Sequence, residues 1–243
     1  MSRKFLIVAV LAAGPLLAAS AAQADKLALQ ITDGTNFALY NDGTTTFGGS
    51  ASGTFTVAEP GFVSFTGRVG TSSFNVSTAE GSPALPTPQL TLNGTSKSTG
   101  GSIIIEASDY DQTTATSTPV LSSFSTSADV PTPTTTGTFQ TFYDTNNAKF
   151  TGTNLTGGPQ PITGAINQVI AVPGIIPAVS GTLSDSIVVS LTQTAGNTFE
   201  FTSSINPVPE PASLTLLGTA LLGLGLFGRH RQRVWKKPAS ART

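Results

Sequence analysis

The chain has 243 residues, no cysteine and one histidine, with 12 Lys and Arg against 13 Asp and Glu, a net charge of −1. Within residues 25–205, however, twelve acids meet only Lys26, Arg68, Lys97 and Lys149, a net charge of −8; the remaining bases lie near the two ends. An acidic body excludes nucleic acid as a partner, which needs clustered Lys and Arg. A body without His or Cys excludes disulfides, a Ser-His-Asp triad, a Cys-His pair and an ordinary zinc site.

The first predicted element is an export signal. Arg3 and Lys4 precede an apolar run from Phe5 to Leu17, broken by Gly14-Pro15. Ala22-Gln23-Ala24 then supplies the small residues at −3 and −1 that a signal peptidase accepts. Residues 1–24 therefore read as a signal helix, cut between Ala24 and Asp25. The run is too short, and its cleavage site too well formed, for a permanent anchor.

From residue 25 to residue 205 the period is two, in short pieces. Leu27, Leu29 and Ile31 alternate with polar or small residues, as do Phe55 and Val57, Phe74 and Val76, Leu90 and Leu92, and Phe199 and Phe201. Heavier β-branched runs stand at Ile103-Ile104-Ile105, Val169-Ile170-Ala171-Val172 and Ile187-Val188-Val189. The first pattern predicts half-buried strands and the second more fully buried ones. Turns are expected at Asp33-Gly34, Asn41-Asp42-Gly43, Asn93-Gly94, Gly100-Gly101, Gly157-Gly158 and Gly196-Asn197. Residues 81–88, 131–137 and 157–161, rich in Pro, Thr or Gly, read as loops; the middle one is weighed as a domain boundary and taken as a hairpin loop. No helical stripe exceeds two turns. These signals predict one all-β domain over residues 25–205, a jelly-roll or Ig-like β-sandwich of ten or more strands with a core of Phe and aliphatics.

One acidic cluster stands out, Glu106, Asp109 and Asp111. Several oxygens together are what calcium requires, and paired carboxylates are what a glycosidase requires. The plainer reading is a solvated strand end and turn, with Tyr110 packed inward. No cofactor is expected.

The C-terminal stretch carries the densest signal. Pro207, Pro209 and Pro211 favour an extended path over residues 206–211. Residues 212–228 then hold no charge and include seven leucines and Phe227. A helix of that length spans roughly 25 Å, slightly short of a ~30 Å hydrocarbon core, so it predicts a marginal transmembrane helix. Arg229, Arg231, Arg233, Lys236, Lys237 and Arg242 follow with no acid among them, so residues 229–243 are expected to stay cytoplasmic and the body to lie outside. Helix and charges alone leave open a plain anchor with no processing.

Pro209-Glu210-Pro211, the apolar segment and the Arg cluster, in this order, resemble the PEP-CTERM sorting signal of Gram-negative bacteria. The resemblance covers roughly the last 35 residues and none of the body; residues 234–243 run on past the Arg cluster for longer than is usual. It implies an exosortase as partner, a membrane cysteine protease that recognises Pro209, Glu210 and Pro211 while residues 212–228 hold the chain transiently in the inner membrane. Its substrates are secreted or surface proteins, commonly of species that make exopolysaccharide and form biofilms. The sequence thus predicts a non-enzymatic surface or matrix protein with a structural or adhesive role beside exopolysaccharide. The alternatives are a carbohydrate-binding module with a defined glycan site and a carboxylate-based glycan hydrolase.

Overall fold

Alternating side chains bury one face of a strand, and a sheet with one apolar face needs a second sheet to cover it. The computed structural model describes residues 26–59, 61–80, 89–113, 116–127, 135–163 and 167–208. They form fifteen strands and no helix. The expected signal helix and transmembrane helix, residues 1–24 and 212–228, lie outside the described residues. Among those described, no helix is long and apolar enough to cross a membrane.

A meander of β1 (Lys26–Thr32), β2 (Phe37–Asn41) and β3 (Thr44–Gly48) opens the first sheet. The chain then crosses to the second sheet for a four-strand meander, β4 (Ser52–Glu59), β5 (Phe62–Val69), β6 (Ser72–Glu80) and β7 (Leu90–Lys97). It returns with β8 (Gly101–Thr113), crosses again as β9 (Thr118–Thr126), and returns as β10 (Thr135–Asp144), β11 (Thr153–Asn154) and β12 (Gln160–Ile162). The last three strands, β13 (Val169–Ile176), β14 (Thr182–Gln193) and β15 (Thr198–Pro207), alternate between the sheets. The first sheet runs β11-β10-β14-β8-β1-β2-β3, with β12 also on β10, and the second runs β13-β9-β15-β7-β6-β5-β4. Every pairing is antiparallel. Fifteen strands are roughly twice the complement of an Ig-like domain or a jelly roll.

The core lies between the sheets. Leu29, Ile31, Ile105, Ile187 and Val189 of the first sheet face Phe65, Val76, Leu90, Leu92 and Phe124 of the second, all at most 2% exposed. Rings join the layers at both sides. Phe124 meets Phe139 at 5.4 Å and Phe201 at 5.9 Å, while Phe55 meets Phe65 at 4.8 Å and Tyr40 at 5.9 Å. Buried hydroxyls bridge the layers too: Ser122 and Thr141 lie 2.6 Å apart, and Ser96 donates to Gln193 Oε1 at 2.9 Å. A buried hydrogen bond between the layers adds directional specificity that aliphatic contacts lack.

Several expected turns stand where the residues placed them. Asp42 (φ 45°) and Gly43 (φ 82°) turn β2 into β3, both left-handed as a two-residue type I′ hairpin demands. Four expectations need correction. The Val169-Ile170-Ala171-Val172 run, expected to be more fully buried, lies in β13 at the edge of the second sheet, and Val169 is 72% exposed. Gln160 and Pro161, expected in a loop, begin β12. Thr135, Thr136 and Gly137 begin β10 instead of closing a loop. Asn93-Gly94 makes no turn: it sits inside β7, with Gly94 opposite Phe201 of β15. A Cβ on Gly94 would fall 2.7 Å from Phe201 Cε1 and 3.3 Å from Val76 Cγ2, so the missing side chain is the slot that receives the ring.

Gly94→Ala is therefore expected to destabilise the domain by about 1–3 kcal/mol through overpacking, since the buried Phe201 ring has little room to yield. A lower urea midpoint with an unchanged slope is the expected result. An unchanged midpoint would show that the ring moves freely.

Candidate functional site

The chain leaves the sandwich from a central strand. Residues 201–205 of β15 are paired on one side with β7 and on the other with β9. Pairing with β9 continues to Asn206 opposite Leu121 and Pro207 opposite Val120, and the Val208 N–H donates to the Pro119 carbonyl at 2.8 Å. Asn206 is fixed as well, accepting from Gln89 Nε2 at 3.1 Å and donating to Ser204 Oγ at 2.7 Å. The strand thus stays hydrogen-bonded up to the residue before Pro209. Pro209, Glu210 and Pro211, with Arg229, Arg231 and Arg233, lie outside the described residues, as do Ala24 and Asp25.

At the other end of the sandwich, three connections surround a cleft of about 320 Å³. Asp33, Thr35 and Asn36 come from the β1–β2 turn, Thr71 and Ser72 from the β5–β6 turn and the start of β6, and Gly100, Gly101, Ser102 and Ile103 from the β7–β8 turn and the start of β8. The walls are mostly hydroxyl, amide and backbone groups. Asp33 Oδ1 accepts from the N–H groups of Thr35 (2.9 Å) and Asn36 (2.7 Å), and its Oδ2 from Asn36 Nδ2 (2.8 Å). Burial pushes its carboxyl up, but those hydrogen bonds outweigh it and hold the group below its usual range. Asn36 Oδ1 in turn accepts from Ser50 N and Oγ at 2.7 and 3.0 Å, tying β2 to the crossing into the second sheet. Behind them Ser72 donates to Ser98 Oγ at 3.2 Å, and Ser98 Oγ accepts from the Gly100 N–H at 2.9 Å. Such a surface offers many hydrogen-bonding positions fixed in advance. The Asp33-Gly34 and Gly100-Gly101 signals marked two of its turns, but nothing in the order of residues says that they meet.

The acidic cluster does not converge. Glu106 and Asp109 are three apart in an extended strand and so point to opposite faces of the sheet. Asp111, with φ 66°, turns to Lys26 Nζ (3.3 Å) and exchanges hydrogen bonds with the Asn147 side chain. Bonding to Asp111 and the charges of Asp111 and Asp42 hold the Lys26 ammonium above its usual range. Among the described residues no three His, Cys, Asp or Glu gather in a way that could hold a metal ion. Tyr110 is buried, but by strand alternation on the outer face of β8, where Lys149 Nζ lies 4.0 Å above its ring and its hydroxyl donates to Asn41 at 2.9 Å. Burial, then the charges of Asp42 and Asp111, push its hydroxyl up to about 12.

Asp109 instead faces Asp185, directly opposite it on β14, and the two are 2% and 0% exposed. Gln112 Nε2 donates to Asp185 Oδ1 at 2.8 Å. Sequence reasoning passed over Asp185, although its position two residues before Ile187 on a period-two strand marks it as inward-facing.

Three comparisons bear on this geometry. The PEP-CTERM protein-sorting motif matches residues 207–232, so the match begins at the last residue of β15. No curated protein matches the sequence. Among solved structures, the crystal structure of the infectious bursal disease virus VP2 subviral particle is similar at 11% identity over 88% of this chain and 71% of that one. Its TM-score is 0.21, and a likeness at that level carries no argument about this chain. The sorting motif marks the protein as exported and targeted to an exosortase, with a cell-surface or extracellular destination.

Glu106 supplies a pH test. It sits on the outer face of the first sheet between Gln30 and Val188, and burial raises its carboxyl from 4.5 to about 7. Between those values the folded protein holds a proton that the unfolded chain has lost, so this group's contribution falls as pH rises from 4.5 to 7. Glu106→Gln is expected to flatten the fall in melting temperature over that window. A slope equal to that of the wild type would show that Glu106 titrates as an exposed carboxyl.

Proposed function

We propose that this protein is a non-enzymatic component of the cell surface or extracellular matrix, held briefly in the inner membrane by residues 212–228 and then processed by an exosortase. The observation that carries the reading is the direct attachment of the sorting motif to the sandwich: the match starts at Pro207, where β15 ends. Severing the chain beyond Val208 leaves every described strand in place, so the delivered domain keeps its fold. Residues 1–24 would be removed by signal peptidase, leaving Asp25 one residue ahead of β1.

The role of the delivered domain is structural or adhesive, with exopolysaccharide as its neighbour. In support, the described surface is rich in Ser and Thr, and the body is acidic and lacks His and Cys. Hydroxyls on exposed strands exchange hydrogen bonds with a hydrated polymer without requiring one geometry. A second reading, a carbohydrate-binding module with a defined site, is favoured by the polar cleft around Asp33, Asn36 and Ser102.

Removing residues 209–211 is expected to leave an uncut, membrane-retained form; release like that of the wild type would contradict exosortase processing. The two readings of the domain separate on glycan binding. Diffuse, non-saturable retention by exopolysaccharide, unchanged in Thr35→Trp, supports the structural role. Saturable binding abolished by the same substitution, which fills the cleft from an exposed turn, supports the defined site.

A further inference from the structure

One corner of the second sheet differs from the rest of the surface. Ile175 of β13 lies opposite Pro119 of β9, whose carbonyl holds the Val208 N–H; one step along, Pro173 lies opposite Leu121. Directly opposed residues of an antiparallel pair point to the same face. Here the face is the outer one, since the intervening Val120 and Ile176 are buried. Ile175 is 63% exposed, Val208 40% and Leu121 38%, and the neighbouring prolines are exposed as well. Residues 118–127, 169–176 and 201–208 contain no charge in a body whose net charge is −8.

The chain passes from this corner to the apolar segment in very few residues. Val208 belongs to the apolar corner, and Ala212 opens the uncharged stretch. The four Cα steps from one to the other reach at most ~14 Å even when fully extended. A helix over residues 212–228 is already slightly shorter than the hydrocarbon core it has to cross, so it cannot lend a turn to lift the domain away from the headgroups.

We propose that the anchored protein rests on the lipid bilayer through this corner, with Ile175, Leu121 and Val208 in the headgroup region and Pro119 and Pro173 beside them. The inference depends on the transient anchor of the proposed function. Apolar side chains gain from the interface, and an uncharged face escapes the repulsion that the acidic remainder of the domain meets at anionic lipid. The contact holds residues 209–211 at the membrane surface, where a membrane protease works. The cleft, at the other end of the strands, faces away from it. A few exposed side chains give only weak membrane binding, so cutting the chain beyond Val208 leaves nothing to retain the domain.

The absence of cysteine makes the test direct. Ile175→Cys, Leu121→Cys, Thr46→Cys and Leu222→Cys, each in the full chain, are labelled with an environment-sensitive fluorophore. The proteins are reconstituted into phosphatidylethanolamine–phosphatidylglycerol vesicles carrying headgroup or acyl-chain nitroxide lipids. Headgroup quenching several-fold stronger for Ile175→Cys and Leu121→Cys than for Thr46→Cys, an exposed position on β3, is the expected result. Equal quenching at these three sites, with Leu222→Cys strongly quenched by acyl-chain nitroxide, overturns the seating and leaves the anchor standing. A Leu222→Cys label that escapes quenching removes the anchor and the seating together. Disulfide-linked dimers of unlabelled Ile175→Cys, with no lipid quenching at that site, assign the corner to a second copy of the chain and overturn the proposal.

Discussion

The structure depends on where its last strand goes. β15 is inserted between β7 and β9, with Thr198 opposite Lys97 and Ile205 opposite Leu90, and it carries Phe199, Phe201 and Ile205 into the core. Until that strand is in place β7 and β9 have no partner between them, and the ring of Phe201 cannot enter the slot at Gly94. The second sheet therefore cannot close before the chain has been made as far as Pro207. β1 is placed in a similar way, between β8 and β2, one residue beyond the expected signal-peptide cut. Both ends of the domain are thus central strands, and processing at either end need not reach into the fold.

The same insertion does the work of the missing disulfides. Two sheets, with strands of up to 13 residues, are held by long-range pairing, by rings that meet across the interface, and by buried hydroxyl pairs such as Ser122 with Thr141. Among the described residues, acidic side chains are fully buried at one place, where Asp109 and Asp185 stand opposite each other and Gln112 donates to Asp185. The polar cleft and the apolar exit corner occupy opposite ends of the strands.

Much of this was legible in the residues because a strand shows its burial in its alternation. Leu27, Leu29 and Ile31 and the Ile187-Val188-Val189 run lie in β1 and β14, and Asp42-Gly43 makes a turn that needs two positive φ angles. The failures have a common cause, since each depended on a neighbour distant in sequence. Asn93-Gly94 has turn chemistry but serves Phe201, and Thr135 to Gly137 look like loop until β14 pairs with them. Glu106, Asp109 and Asp111 look like one cluster because they are close in sequence, yet strand alternation and a left-handed residue send them in separate directions. The cleft was illegible for the converse reason: three unremarkable turns become a site only once the sheets stack. The sorting motif was the most legible feature because it is read as a linear peptide and needs no fold to be recognised.

Hydrogen exchange on the full-length protein tests most directly the claim that the sorting motif hangs from a strand locked into the centre of the sheet. Amides of Ser203, Ser204 and Ile205 should exchange as slowly as those of Ile187, Val188 and Val189, and far more slowly than those of the edge strand β13. Exchange in β15 as fast as in β13 would contradict the account.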